Sequence, residues 1–427
     1  MARFSKYSSN PFVKNFAVML SGNGLALVIP FLIAPLISRL YTPEGFAGFE
    51  LFVKIAALIA VVSALRFELA IIIPRAEEEA SSLVKLSVKL VFITTIVTAF
   101  AIIPFRDVIG RKLGNSDLPG LLWLLPLMVF ATGIYHVLTQ YALRLKRFNR
   151  LSSTKVSGAL TNNGFKYIAG LSAPIALSLV WGQIIGVLVP IVDFLRLKRI
   201  RTDVFSAFKQ TISSKELFRK YRDFPLVSAS HGFFDEGQKT LLLFIISAYY
   251  GEMVLGLFAF GLRYLRVPLQ VFGVALSQVL NEKWARQLDS GQAIKSEVVK
   301  TGFLLFGIGI IPFALLFFFG EELFAFVFGQ DWAVAGKYSE YMAPWLLLNF
   351  VVSPMSFLPI LLKQQRMNFL IAVVGNVITL ILVAFMAISD FEFLSVLIVL
   401  VASNTLLLAY AWVWYIRISN RVKIQLP

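Results

Sequence analysis

The sequence predicts an all-α polytopic membrane protein with twelve transmembrane helices. Of its 427 residues, 58% are hydrophobic and only 15% are charged, whereas soluble domains contain about 25% charged residues. Apolar runs of about 20 residues, the length that crosses a bilayer, recur from one end of the chain to the other. The chain has no cysteine, which excludes disulfides and thiolate metal sites.

The first six predicted helices form one group of apolar runs. The first contains Gly24, Pro30 and Pro35, which permit close packing and a kink. The second carries charged side chains, the fifth is polar on one side, and the others are largely apolar. Their predicted bounds are 15–38, 46–73, 83–104, 120–143, 152–172 and 175–195.

The last six predicted helices form a second group, after a long basic connection. The seventh and eighth carry several charged residues, Pro268 lies inside the eighth, and the last four are strongly apolar. Their predicted bounds are 225–248, 253–278, 298–320, 341–362, 368–389 and 394–416. We therefore predict an N-terminal lobe at 1–195, a cytoplasmic basic linker at 196–224 and a C-terminal lobe at 225–427.

The two predicted lobes share a faint sequence repeat. Residues 37–48 and 246–256 each contain an Ile-Ser pair followed by Tyr, Glu and Gly. Both segments join the first and second helix of their lobe. Six helices per lobe would give both lobes the same orientation, which is the parallel-repeat plan of some transporters, with a binding site between the lobes.

The basic residues predict how the chain is oriented in the membrane. Most of the 40 Lys and Arg residues lie in connections that fall on one side of the predicted membrane. That side is expected to be cytoplasmic, so both termini are predicted to be cytoplasmic. This asymmetry also accounts for most of the net charge of +16 without a nucleic acid partner.

Six basic residues lie inside the predicted helices, where a charge costs about 2.5–3.5 kcal/mol at mid-bilayer. Such residues usually face a protein interior or a wet cavity, and an excess of positive charge there indicates an anionic ligand. They are Lys54, Arg66, Lys166, Lys239, Arg263 and Arg266.

Helical spacing groups these cations with neutral polar residues. Arg263 and Arg266 share a face with Gln270, and Lys166 continues a polar stripe with Asn162 and Asn163. Lysine and arginine bind anions, and amides both donate and accept hydrogen bonds. We therefore predict that all six cations and these three amides bind substrate.

Three of the cations also have a purely structural alternative. Lys239 lies four residues from Asp235 and Lys54 lies four residues from Glu50, so each could simply neutralise a carboxylate. Arg66 lies near the predicted cytoplasmic end of its helix and could snorkel to the interface.

A carboxylate inside a helical bundle is a candidate coupling site. The residues predicted to act in coupling or gating are Asp235, Glu236, His231, Glu68 and Arg39; for Asp235 and Glu236 the alternative is structural pairing. With two histidines and no cysteine, we expect no metal or other cofactor, and H⁺ or Na⁺ as a possible coupling ion.

The first ninety residues resemble the opening of bacterial polysaccharide lipid flippases of the Wzx type. These flippases belong to the multidrug/oligosaccharidyl-lipid/polysaccharide exporter superfamily. The resemblance lies in Ile29-Pro30-Phe31-Leu32, in the run from Pro35 to Phe46, in the run from Leu65 to Pro74, and in Tyr221-Arg222-Asp223-Phe224-Pro225.

The resemblance implies a V-shaped transporter with a central cationic cavity, and a carrier rather than an enzyme. It would move an undecaprenyl-diphosphate-linked oligosaccharide, such as an O-antigen or capsular repeat unit, across the bacterial inner membrane by alternating access. Implied partners are the lipid-linked glycan, membrane lipids, and the polymerase and chain-length proteins of the same pathway.

Three rival functions stay open. A multidrug exporter of the same superfamily would favour an acidic cavity for its cationic substrates. A polysaccharide polymerase or ligase would need a long outside loop to carry its chemistry, and no predicted connection is long enough. A channel would not need two equivalent lobes.

Overall fold

The computed structural model describes residues 11–198, 200, 202 and 212–420, with residues 11–23 described by their backbone alone. Helices make up almost all of this part of the chain, and it contains no β-strand. The predicted topology and linker depend in part on basic residues at the extreme termini and in 199–211. Those at the extreme termini and most of those in 199–211 lie outside the described residues.

The helices are named here in chain order. They are α1 (Pro11–Ser38), α2 (Pro43–Ala60), α3 (Phe67–Ala70), α4 (Glu77–Ile102), α5 (Arg106–Lys112), α6 (Leu118–Leu121), α7 (Leu125–Arg144), α8 (Phe148–Ser172), α9 (Ala176–Leu195), α10 (Ser214–Lys220), α11 (Ser230–Asp289), α12 (Lys295–Phe328), α13 (Ala333–Val352), α14 (Leu358–Leu361), α15 (Gln365–Ile388) and α16 (Phe393–Ile418).

The structure is that of a multi-pass membrane protein. Eight segments of the described chain are long and apolar enough to cross a bilayer. Large apolar side chains on them point outward: Phe100 is 78% exposed and Phe326 is 82% exposed. Surfaces of this kind are stable in lipid and not in water.

The predicted all-α class is confirmed, and each predicted span coincides with helix, but the count of twelve stays a prediction. One of the eight segments, Phe224–Asp289, covers two predicted spans, which are separated at Gly251 by a non-helical backbone (φ 82°, ψ 175°). Three further predicted spans correspond to α1, α2 and α8. In α1 only Gly24–Ser38 could be assessed as a span, and that stretch is short. The predicted span over α2 is interrupted after Ala60, and α8 is polar.

The second predicted span, 46–73, was wrong in one respect, because the helix breaks at Val61–Arg66. Leu65 and Arg66 adopt left-handed backbones with φ of 50° and 62°, a conformation that costs non-glycine residues about 1–2 kcal/mol each. Thr94 of α4 compensates in part, because its hydroxyl donates to the Ser63 carbonyl at 3.0 Å. The apolar pattern continues through this segment, so composition alone does not reveal the break.

The chain packs as two compact units, residues 1–256 and 257–427. The first half of α11 therefore packs within the first unit. The division into lobes at 196–224 was predicted from the long basic connection with six spans on each side of it, not from packing, and it stays a prediction.

Each unit has its own apolar core. In the first unit, Phe67, Leu83, Leu138, Phe194 and Tyr221 belong to one buried cluster. In the second unit, Trp284 and Met355 belong to another, and Phe260 stacks on Trp332 with ring centroids 3.7 Å apart. These cores hold rigid helices on which the polar residues of the interior are placed.

Candidate functional site

Four charged residues of the first unit form a connected ionic group between α2 and α11. Lys54 Nζ of α2 lies 3.1 Å from Glu236 Oε1 of α11. Lys239 Nζ lies 2.7 Å from Asp235 Oδ2 and 3.7 Å from Glu236 Oε2. We call Lys54, Asp235, Glu236 and Lys239 the interior ion group. Glu236 is its centre, since it contacts both lysines.

The sequence of α11 determines how the ion group is held. Gly232, Glu236 and Thr240 are spaced four residues apart and therefore share one face. The Thr240 hydroxyl donates to the Glu236 carbonyl at 2.8 Å and approaches the Lys54 carbonyl at 3.5 Å. This face accordingly lies along α2, and Lys54 reaches Glu236 across the two helices. Sequence reasoning had considered Glu50, on α2 itself, as the partner of Lys54 and missed the pairing with Glu236.

Arg66 lies at the break after α2 and packs on the same face of α11. A Cβ atom added to Gly232 would lie 2.6 Å from Arg66 Nη2, so only glycine leaves room for the guanidinium in this position. Arg66 Nη1 is 3.9 Å from Glu68 Oε1. Arg66 Nε and Glu68 Oε2 are buried and have no hydrogen-bond partner among the described residues.

Lys166, Asn162 and Asn163 lie on α8, where their side chains contact protein groups of α8 and of the neighbouring helices. Lys166 is 5% exposed and its ammonium lies 4.2 Å from the centre of the Phe49 ring, a favourable cation–π geometry. Asn162 Nδ2 donates to Gln183 Oε1 at 3.0 Å and Asn163 Nδ2 donates to the Ala159 carbonyl at 2.8 Å. In this conformation these contacts join α8 to α2 and α9, and a role of the three residues in substrate binding stays a prediction.

The predicted cations of the second unit lie on the second half of α11. Arg263 and Arg266 are half-buried and Gln270 is exposed. The Arg266 guanidinium carbon lies 5.4 Å from the centre of the Trp345 ring of α13. The sequence did not predict a role for Trp345, because it is one aromatic residue within an apolar run and nothing in its spacing connects it with Arg266.

The remaining predicted residues lie at exposed positions. Arg39 lies just past the end of α1, and His231 lies at the start of α11; both are exposed. The structure thus brings together Lys54, Asp235, Glu236 and Lys239, and it pairs Arg66 with Glu68.

A second polar contact fixes the other end of this half of α11. Glu252 Oε2 accepts hydrogen bonds from Asn115 Nδ2 at 3.0 Å and from the Ser116 backbone N–H at 3.3 Å. The Ser247 hydroxyl donates to the Leu113 carbonyl. These three contacts, here called the outer anchor, join segment 247–252 to segment 113–116. They involve the second copy of the sequence repeat, whose role sequence reasoning did not predict.

The charges of the interior ion group balance. Two lysines face two carboxylates, so the group carries no net formal charge. Such a group can exchange partners, because an incoming anion can replace a carboxylate at a lysine. In the second unit, the positive charge of Arg266 is held beside the Trp345 ring.

Comparison with solved structures identifies the fold. An inward-facing multidrug resistance MATE family transporter of the MOP superfamily matches with a TM-score of 0.70 and 16% identity, over 92% of this chain and 98% of that one. The lipid II flippase MurJ in an inward closed conformation matches with a TM-score of 0.72 and 12% identity, over 94% and 90%. An outward-facing MATE family transporter matches with a TM-score of 0.57 and 14% identity, over 95% and 96%. At these identities the likeness establishes the fold alone.

Comparison of the sequence identifies the family. A search of curated proteins found no match. The profile of the polysaccharide biosynthesis proteins matches residues 36–337, which is more than half of the chain and includes both the interior ion group and the arginine pair. This match shows that the chain belongs to the polysaccharide biosynthesis protein family.

Proposed function

We propose that this protein is a flippase that carries an undecaprenyl-diphosphate-linked oligosaccharide from the cytoplasmic to the periplasmic leaflet of the bacterial inner membrane. The family and the transporter fold support a carrier of a polysaccharide intermediate. The observation that carries the proposal is the interior ion group, in which two lysines are held on one exchangeable carboxylate, Glu236.

The substrate explains why charges would be placed inside the membrane. A diphosphate carries about two negative charges, and neither it nor a glycan crosses hydrocarbon without polar partners. Lys54 and Lys239 would replace water around a phosphate oxygen, with the phosphate taking the place of Glu236 at the ammonium groups. The net charge of the site then falls unless a carboxylate takes up a proton.

That exchange suggests how transport could be coupled to protons. Protonation of Glu236 or Asp235 would release a lysine and make the site a better anion receptor. Deprotonation would restore the ion pair and expel the anion. Outward movement of negative charge also runs with an inside-negative potential, worth about 2.3 kcal/mol per charge per 100 mV.

Arg263 and Arg266 would provide a second set of phosphate donors. Guanidinium groups bind phosphate through two parallel hydrogen bonds. Trp345 holds the Arg266 side chain by a cation–π contact, so less conformational entropy is lost when phosphate binds. Gln270, one turn beyond, is exposed and could donate to a sugar hydroxyl.

A strain without its own copy of the gene, complemented with variants at equal membrane levels, tests the proposal. Arg263→Ala/Arg266→Ala should abolish surface glycan and leave the lipid-linked repeat unit in the cytoplasmic leaflet. Lys295→Ala/Arg366→Ala removes two exposed basic residues elsewhere in the second unit and should leave surface glycan normal. Normal surface glycan in the arginine variant would overturn the assignment.

A multidrug exporter of the same superfamily is the second candidate. The two neighbouring carboxylates Asp235 and Glu236 of the ion group are the observation that favours it, because cationic drugs bind carboxylates. An exporter would raise resistance to cationic drugs, and Glu236→Gln would remove that resistance without affecting surface glycan.

A further inference from the structure

A basic pocket lies where the first half of α11 begins. It has a volume of about 570 Å³, and Lys215, Phe218, Arg219, Arg222, Pro225 and Leu226 line it. Lys215, Arg219 and Arg222 are all exposed, and none of the three forms an ion pair with a residue of the described chain. No carboxylate lines the pocket, so its charged lining residues are all basic.

Contacts of α10 with α3 and α4 hold the pocket in place. Leu217 is 2% exposed and Phe218 lies with its ring centroid 4.9 Å from that of Phe67. Lys220 forms an ion pair with Glu79, and the Tyr221 hydroxyl donates to the same carboxylate at 3.1 Å. The hydrogen bond from Lys220 to Glu79 raises the pKa of Lys220, which keeps this lysine charged and committed to α4.

Helical spacing separates the two faces. Leu217 and Tyr221 are four residues apart and point to the core, whereas Lys215 and Arg219 are four apart and point to the pocket. Arg222 continues the spacing just past the end of α10. Lys215, Arg219 and Arg222, which form no ion pair among the described residues, therefore lie on the same side of α10 and line the pocket.

The rim of the pocket is apolar and exposed. Leu226 is 67% exposed, Val227 is 64% exposed and Phe218 is 39% exposed. Leu226 and Val227 lie at the start of the long apolar segment Phe224–Asp289, on the predicted cytoplasmic side. Positive charge beside exposed apolar side chains at the end of a transmembrane helix fits a lipid, whose phosphate and chains would meet the two kinds of surface.

We propose that this pocket binds the phosphate group of a lipid in the cytoplasmic leaflet. Lys215, Arg219 and Arg222 donate to the phosphate oxygens, and Phe218, Leu226 and Val227 contact the first methylene groups of the lipid chains. The lipid is either an anionic phospholipid of the bilayer or a polyprenyl phosphate carrier, since both present the same chemistry. The inference does not depend on transport, and its failure would leave the proposed function untouched.

The test uses the full chain, purified in detergent and exposed to mixed micelles. Bound lipid is counted by native mass spectrometry with phosphatidylglycerol, phosphatidylcholine or undecaprenyl diphosphate as the probe, and with inorganic diphosphate as a competitor. The wild type should bind phosphatidylglycerol or undecaprenyl diphosphate at least about tenfold more tightly than zwitterionic phosphatidylcholine. A preference between the two anionic probes identifies the source of the phosphate.

Variants separate the pocket from general surface charge. Lys215→Gln/Arg219→Gln/Arg222→Gln should weaken binding of the anionic lipids about tenfold or more. The control Lys295→Gln/Arg366→Gln/Arg417→Gln removes the same charge from exposed positions of the second unit and should bind like the wild type. Arg219→Lys/Arg222→Lys keeps the charge and should retain most lipid binding. Retained binding would show that substitutions at these positions do not by themselves unfold the pocket.

A further variant distinguishes a lipid from a free phosphate. Leu226→Asn should weaken binding of both anionic lipids and leave competition by inorganic diphosphate unchanged. Equal losses in the pocket triple variant and the control triple variant would overturn the proposal. So would equal binding of phosphatidylcholine and phosphatidylglycerol by the wild type.

Discussion

At the scale of single residues, Glu236 connects the two lysines of the interior ion group. Its two carboxylate oxygens lie 3.1 Å from Lys54 Nζ and 3.7 Å from Lys239 Nζ. Sequence spacing could predict the contacts from Lys239 to residues three and four positions earlier on the same helix. It could not predict Lys54 with Glu236, because their sequence separation is 182 residues and only the folded unit brings them together.

The ion pair predicts a specific pattern of stability in a double-mutant cycle. Lys54→Met removes one partner and leaves Glu236 less compensated in a half-buried site, so it should lower the free energy of unfolding by about 1–2 kcal/mol. Lys54→Met/Glu236→Met removes both charges and should cost less than the sum of the single changes. Thermal unfolding of the four proteins in one detergent measures the coupling, and strictly additive effects would show that the pair is not formed.

Gly232 gives a second prediction, about the position of Arg66. Gly232→Ala would place a methyl group 2.6 Å from Arg66 Nη2, and the flexible end of the arginine can move away at little cost in stability. We expect near wild-type thermal stability together with a clear loss of surface glycan. Gly164→Ala on α8, where an added methyl group meets nothing within 4 Å, is the matched control and should leave surface glycan unchanged. A normal glycan level in Gly232→Ala would remove Arg66 from the transport path.

At the scale of elements, α2 and the first half of α11 are joined along their length and anchored at the outer end. The glycine at position 256 allows the closest approach, since an added Cβ would lie 1.8 Å from the Pro43 carbonyl oxygen. Glu252 then holds the segment that follows Gly251, whose left-handed backbone turns the chain. Sequence periodicity could predict the helices but not this anchor, because the partners of Ser247 and Glu252 lie in the connection between α5 and α6.

The outer anchor predicts a local change in dynamics. Glu252→Ala removes the acceptor of two hydrogen bonds and should speed amide hydrogen exchange in segments 113–118 and 247–256 by about tenfold. Glu322→Ala, an exposed carboxylate with no ion pair among the described residues, should leave exchange in those segments unchanged. If the two variants show equal exchange, the anchor contributes nothing to holding this end of α11.

At the scale of the whole molecule, composition and apolar length were enough to predict an all-α membrane protein. The positions of the helices follow from where apolar runs end. The break at Val61–Arg66 could not be predicted, because the apolar pattern continues through it and the compensating hydrogen bond to the Ser63 carbonyl comes from Thr94, on another helix. The burial of Lys166 against Phe49 likewise depends on packing between helices that are distant in sequence.

The basic residues carry three different kinds of information. The basic residues in the connections between helices predict how the chain is oriented in the membrane. Lys54, Lys239 and Arg66 are engaged with carboxylates inside the first unit. Lys215, Arg219 and Arg222 line a pocket without an ion pair among the described residues. Net charge could not separate these groups, because it sums over all of them.

The central claim is that this chain moves a lipid-linked glycan across a bilayer, and proteoliposomes test it most directly. Purified protein is reconstituted with lipid-linked oligosaccharide, and a membrane-impermeant glycan-modifying enzyme measures how fast the inner-leaflet pool becomes accessible. The wild type should expose this pool much faster than protein-free vesicles, and Arg263→Ala/Arg266→Ala should fall to the protein-free rate. The rate is measured with a proton gradient imposed in each of the two directions. A wild-type rate equal to that of protein-free vesicles under both gradients would contradict the claim.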